Sequence, residues 1–374
     1  MKKLLCLLLC LILAVGVVSS AQADTVYKVP SDIHIEDLYA LYDEVVNVCL
    51  NGYTEFEVYI SPACRKNVGD DNLWDGIWSV LWQALSIDYK VSYANWNDGT
   101  LYVKVENALL RDGIRIYFGY MGDPAVTLTA DEKRALSIAQ SAVNDMLQKY
   151  PYGSIALETA IYDYICNHIE YKKEGDDQRY YSTVHGLLHG EGTCQVYADL
   201  FYLMASMAGF VPQYVCGKAP GSHLWNAIAI GGENVMVDVC FGDMGGNYPP
   251  SHYFMNFGVD RKEKHTWSKY VFPYSYAQTT DDSHSFYCNQ SANTGYVPKD
   301  LNDAATYFVW KAQHGQMVAE VLMKGKTYSD NKTIHDAIYQ ALRNQGYSTN
   351  NKNWRLWNLQ KGNDTVILVE WTQF

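Results

Sequence analysis

The 374-residue chain is 48% apolar and carries 31 tyrosines and ten tryptophans, enough for a sizeable core in roughly two or three domains. Its 29 Lys and Arg against 41 Asp and Glu give a net charge of -12, a balance that repels polyanions and excludes nucleic acid and anionic lipid as natural partners.

Met1-Lys2-Lys3, the apolar run Leu4 to Val18 and Ser19-Ser20-Ala21-Gln22-Ala23 have the three parts of a secretory signal over residues 1–23. Cleavage after Ala23 makes the mature chain secreted or extracytoplasmic, at the cell envelope. It leaves no transmembrane segment and takes the net charge from -12 to -14. Cys6 and Cys10 leave with the signal. The remaining Cys49, Cys64, Cys166, Cys194, Cys216, Cys240 and Cys288 are odd in number, which invites one free thiol; spacing does not fix their pairing.

Residues 24–125 read as a small α+β domain. A helix over 33–49 precedes a strand from Phe56 to Ile60. Trp74, Trp78 and Trp82 recur every fourth residue of a helix over 73–85, a spacing read as a buried face, and a hairpin follows through 89–96 and Leu101 to Glu106. Residues 126–275 form the central region. Thr129-Ala130-Asp131-Glu132 has capping-box form and opens a helix that Pro151 stops, and a second helix spans 154–168. A linker is expected over 276–298. The last domain, 299–374, repeats the first one's order: strands Tyr307 to Lys311 and Val318 to Met323, a helix over 333–343, and a hairpin through Lys361 to Asp364. Duplication and convergence both account for this.

The chemistry concentrates in the central region. Gly190-Glu191-Gly192-Thr193 is a loosened turn, after which Cys194 opens a helix. Unpaired N–H groups and the dipole there favour a thiolate. Downstream, two alternating strands flank Gly231-Gly232. A two-residue turn there sets Ile230 against Glu233 and brings Asp238 opposite Trp225, one diagonal step from His223. Parity puts His223, Trp225, Ala227, Ala229, Met236 and Asp238 on one face and Leu224, Ile228, Val235 and Val237 on the other, so the sheet is sandwiched. The small Ala227 and Ala229 invite the Cys194 helix onto the His/Asp face. Thiolate, imidazole and carboxylate then meet in line as nucleophile, base and orienter.

Gly-x-Cys-x-x-Tyr-Ala, His-x-Trp-Asn and Val-Asp, in that order, resemble the core of bacterial transglutaminase-like cysteine proteins of the papain-like superfamily, and Thr129 to Tyr171 resembles the paired helices before it. The resemblance implies an α+β fold, helices packed on an antiparallel sheet, flanked here by small α+β domains. It implies Cys194, His223 and Asp238 as catalytic residues, supported by Tyr197, Trp225, Asn226 and Gln195. Relatives often follow the aspartate with Thr-Trp-Asp-Asp, where this chain has Val239-Cys240-Phe241-Gly242-Asp243. The expected function is acyl transfer from peptide or protein amides through a thioacyl intermediate, ending in hydrolysis. Crosslinking and an idle surface protein that binds peptide or glycan are the alternatives. Backbone N–H of Cys194, with Tyr181, His185 or Gln195, is a candidate oxyanion donor. His185 and His189 stand four apart without a zinc-protease signature, and the remaining histidines form no ligand cluster in sequence, so no metal or cofactor is expected.

Overall fold

The computed structural model describes residues 27–28, 34–95, 98–173, 177–219, 221–230, 233–245, 249–258, 265–267, 277–278, 298–361 and 363–374. The signal segment, the Gly231-Gly232 turn, Cys288 and most of the expected linker lie outside them. The carboxylate of Asp37 accepts the Ala40 N–H and opens α1 (Leu38–Leu50), which buries Leu38, Leu41, Val45 and Val48. Strand β1 (Glu55–Ile60) leads through α2 (Pro62–Val68) into α3 (Asp70–Ala84), and β2 (Lys90–Asn95) and β3 (Leu101–Glu106) follow as antiparallel neighbours in the order β1-β3-β2, while Tyr27–Lys28 and His34–Ile35 pair in parallel with β1 and make the sheet five-stranded. The tryptophan face of α3, expected to be buried, is only partly so: Trp78 is 46% exposed.

Helix α4 (Asp112–Met121) leads into the central region, where α5 (Ala130–Leu147), whose capping box is complete, is followed by α6 (Ile155–His168), α7 (Thr183–His189) and α8 (Cys194–Met207). Strands β4 (Gln213–Lys218), β5 (Ser222–Ile230) and β6 (Glu233–Val237) are antiparallel neighbours, and Ile230 pairs with Glu233 as the two-residue turn requires. Short α9 (Val239–Gly242) follows. Thr266–Trp267 extends this sheet beyond β4, and Ala277–Gln278, from the segment expected as a linker, pairs in parallel with β6.

Both faces of this sheet are covered, but α8 takes the opposite face from the one expected. Val196, Leu200, Met204 and other α8 residues pack with Ile228, Val235 and Val237, and Ala198 packs in the cluster that holds Leu224. Trp225, Ala227 and Met236 pack instead against Tyr253, Phe254, Phe257 and Val366. Large aromatic rings, rather than a closely approaching helix, fill the room above Ala227.

The chain ends in α10 (Leu301–Gln313), β7 (Val318–Met323), α11 (Asn331–Asn344), β8 (Asn353–Lys361) and β9 (Asp364–Gln373), with sheet order β7-β9-β8. The expected strand Tyr307 to Lys311 is part of α10. Asp300 caps this helix by accepting the Asp303 N–H, and Leu301, Ala304, Ala305, Phe308 and Ala312 are buried at helical spacing. With that correction both flanking units contain the order helix, strand, helix, hairpin, short α2 apart, and in each the last strand of that order lies between its other two strands.

Two polar clusters bind the units together. Arg111 pairs with Asp199 of α8 at 3.1 Å, both side chains fully buried, while Asp112 accepts the N–H groups of Thr183 and Val184 at the start of α7. On the other side Glu320 of β7 accepts Ser251 Oγ at 2.8 Å and the His252 N–H at 2.9 Å. No described helix is long and apolar enough to cross a membrane.

Candidate active site

Thr193 caps α8 without a side-chain hydrogen bond, so its hydroxyl takes none of the first-turn N–H groups beside Cys194, the first helical residue. His223 is the second residue of β5, and Asp238 follows the last residue of β6, where its backbone N–H donates to Phe254. All three side chains sit at the ends of their elements. The thiol and ring therefore meet at the end of the sheet although α8 lies across the other face. Cys194, His223 and Asp238 are 8%, 5% and 0% exposed.

His223 Nε2 lies 2.7 Å from Asp238 Oδ2, and the Cys194 thiol is near enough to the same imidazole to raise its pKa. With Nε2 engaged by the carboxylate, Nδ1 is the nitrogen left for the thiol. Burial pulls the His223 pKa down, but the Asp238 charge and hydrogen bond, reinforced by Cys194, push it up to about 10. Burial would raise the Asp238 carboxyl. The His223 charge, with hydrogen bonds from His223 and His265, instead holds it well below the usual carboxylate range. Asp238 Oδ1 accepts the Phe241 N–H at 3.0 Å and so caps α9.

His265 is the residue that sequence reading misses. Its Nε2 lies 2.8 Å from the same Asp238 Oδ2, and its side chain is buried. The side chains of His223, Asp238 and His265 thus form a cluster whose nitrogen and oxygen atoms lie within 4.8 Å of one another, where the sequence alone leaves His265 unclustered. Two N–H donors on one carboxylate oxygen account for the distances. Only two residues around His265 are described with it, Thr266 and Trp267, and no motif in the sequence marks it.

The supporting residues divide. Trp225 stacks on His223 with ring centroids 5.6 Å apart and planes at 22°, and Phe241 approaches the ring at 4.8 Å, so aromatic carbon shields the imidazole from water. Tyr197 is buried behind the site, where its hydroxyl bonds the Ile169 carbonyl at 2.9 Å and the Asp243 carboxylate. Asn226 has the parity of Leu224 and faces away from His223; its amide donates to the Gln213 carbonyl at 3.4 Å. Gln195 donates to the Tyr181 carbonyl at 2.8 Å, which commits one of its N–H groups to holding that loop. His185 stacks with His189 and lies 3.7 Å from Glu191. Tyr171, given no site role by the sequence, is half-exposed; partial burial raises its phenol to about 12, with further contributions from Cys194, Cys240 and Tyr181.

Residues 140–280 match the model of the transglutaminase-like superfamily. That stretch takes in α8, β4 to β6 and every residue of the buried cluster. A search of curated proteins finds no match. Among solved structures, one described as a TGase is 16% identical with a TM-score of 0.29, covering 43% of this chain and 46% of its own. A proposed cysteine protease from Cytophaga hutchinsonii is 16% identical with a TM-score of 0.24, covering 41% of this chain and 65% of its own. A proposed protease from Parabacteroides distasonis ATCC 8503 is 11% identical with a TM-score of 0.26, covering 86% of this chain and 67% of its own. The chain thus spans about half the length of the first. The transglutaminase-like domain is mixed α+β, helices packed on an antiparallel sheet, as the sequence implies.

Proposed function

We propose that the protein is an extracytoplasmic cysteine-dependent hydrolase of peptide or protein amides, with Cys194 as nucleophile, His223 as acid and base, and Asp238 as orienter. The observation that carries this is the His223 imidazole bonded to a buried carboxylate, with the thiol of a helix-opening cysteine near enough to raise its pKa. A ring kept cationic through neutral pH supplies the charge that favours a thiolate beside it. Cys194 Sγ attacks the amide carbon, and the free N–H groups of the first α8 turn receive the oxyanion. The C–N bond breaks as His223 passes its proton to the leaving amine. Water, deprotonated by His223, then attacks the thioester and releases the acid and the thiolate.

The same thioester accepts a lysine amine as readily in principle, so the acceptor is decided by experiment. Peptides and glutamine-bearing proteins are incubated with wild type or Cys194→Ala, with and without an added primary amine, and read by mass spectrometry. Cys194-dependent hydrolysis is expected. Amine adducts in place of acids would convert the reading to crosslinking, and no Cys194-dependent product of either kind would leave a binding protein.

A further inference from the structure

A cavity of about 520 Å³ lies between the tryptophan face of α3 and the β4–β5 edge of the sheet, lined by Trp78, Trp82, Tyr89, Cys216, Gly217 and Ser222 among others. It borders the strand pair that carries His223. Ser222 precedes His223, and Gly217 is the residue paired with His223 across the two strands. Cys216, on the cavity wall, belongs to the same buried cluster as Cys194, near enough for the two sulfurs to influence each other's charge. The volume falls within the range of small-molecule and side-chain pockets, about 300–1,000 Å³.

Building on the proposed hydrolase, we infer that this cavity is a substrate subsite that receives a large apolar or aromatic side chain of the peptide beside the attacked amide. The inner wall is uncharged: Cys216 is buried, with its thiol pushed up to about 12 mainly by burial, and Trp82 and Tyr89 are half-buried. Charge is confined to the exposed rim, where Asp75 and Lys218 offer opposite signs. A lysine or glutamate side chain entering the interior loses its hydration without a buried partner, whereas an aromatic ring covers large apolar area and stacks. Trp78, 46% exposed at the mouth, is a large ring left open to solvent on a helix whose apolar residues otherwise face the core. Gly217 lets β4 lie close against Thr266, another residue of the cavity lining. A Cβ there would meet the Thr266 carbonyl oxygen at 1.9 Å and the Trp225 ring at 2.9 Å.

The test measures how N-acetyl amides of Phe, Leu, Lys, Glu and Gly slow the alkylation of Cys194 by iodoacetamide in the full chain, with the labelled cysteine mapped by mass spectrometry. Phe and Leu amides should protect at concentrations at least about 10-fold lower than the other three, a discrimination worth about 1.4 kcal/mol. Trp78→Ala should erase that discrimination, and so should Asn72→Trp, which occludes the mouth from an exposed position and needs no ring removed. Equal protection by all five amides, or none by any, overturns the subsite while leaving fast alkylation and the proposed chemistry intact. Protection by N-acetylglucosamine oligomers with no preference among the amides overturns it in favour of a glycan. If iodoacetamide labels Cys194 no faster than a simple thiol at pH 7, the hydrolase reading fails first and the subsite with it.

Discussion

One carboxylate oxygen, Asp238 Oδ2, receives both His223 and His265, while the second oxygen caps α9. In the proposed mechanism the shared acceptor makes His265 a positioning residue: it fixes the carboxylate that fixes the His223 ring. A hydrogen bond to a charged group is worth about 1.5–3 kcal/mol, so His265→Ala should lower kcat/KM about 10- to 100-fold. Its alkaline pKa in the pH–rate profile should fall as Asp238 loosens. His265→Gln, which keeps an N–H donor, should recover part of both; a variant that loses only thermal stability would mark a packing role. The alkaline limb itself follows from His223. Its proton is held to about 10, so activity that needs the imidazolium should persist through neutral pH and fall as pH rises through that value, measured as kcat/KM in wild type.

At the scale of elements, α8 is placed by contacts from the N-terminal unit as much as by its own sheet. The start of α4 comes so close that a Cβ on Gly113 would meet Asp199 Oδ2 at 2.5 Å and Thr183 Oγ1 at 2.7 Å. Gly113→Ala therefore has to push apart the bond between Thr183 Oγ1 and Asp199 and the buried Arg111 ion pair. Overpacking of this kind costs about 1–3 kcal/mol, read as a lower urea midpoint with an unchanged slope. An unchanged midpoint would mean that α4 and α8 are free to separate. A similar constraint operates behind Asp238, where Tyr162 donates its hydroxyl to the Asp238 and Ser251 carbonyls and leaves room only for a glycine at 242.

Over the whole molecule, buried ionisable groups set how stability varies with pH. Burial pushes Glu158 up to about 8 from an ordinary 4.5, only partly offset by the Asn256 amide at 2.9 Å. A group raised in the folded state contributes fully below its unfolded pKa and loses that contribution as pH rises to the folded one, here between about 4.5 and 8. His252 belongs to the same class. Burial lowers it, but Asp163 at 2.6 Å and Glu320 raise it to about 10, so its contribution is full below 6.5 and lost towards 10. Asp238, lowered by its histidines, loses its contribution only as pH falls into the acid range. The melting temperature should therefore peak in mildly acidic buffer and decline from pH 5 to 8, and Glu158→Gln should flatten that decline. A melting temperature that rises over this interval would contradict the assignment. Because Glu320 also binds Ser251 and His252 across the unit boundary, its removal leaves His252 with Asp163 alone and the buried Ser251 hydroxyl without its acceptor. Glu320→Ala should cost about 1–3 kcal/mol in global unfolding.

Local patterns in the sequence were sufficient for most elements. The capping box of α5, the alternation of β5 and β6 and the register Ile230 to Glu233 are set by neighbours in the chain, and period and turn chemistry express them directly. The order Cys194, His223, Asp238 was legible for the same reason. α10 was not, because Tyr307 to Lys311 read alone fits a strand, and its cap at Asp300 and the buried alanines that make it helical lie outside that window. The face taken by α8, the arrival of His265 on Asp238 and the opening of the α3 tryptophans toward β4 all depend on which distant surfaces meet. Residue identity along one strand says that a face is apolar; only packing of the folded chain decides what covers it.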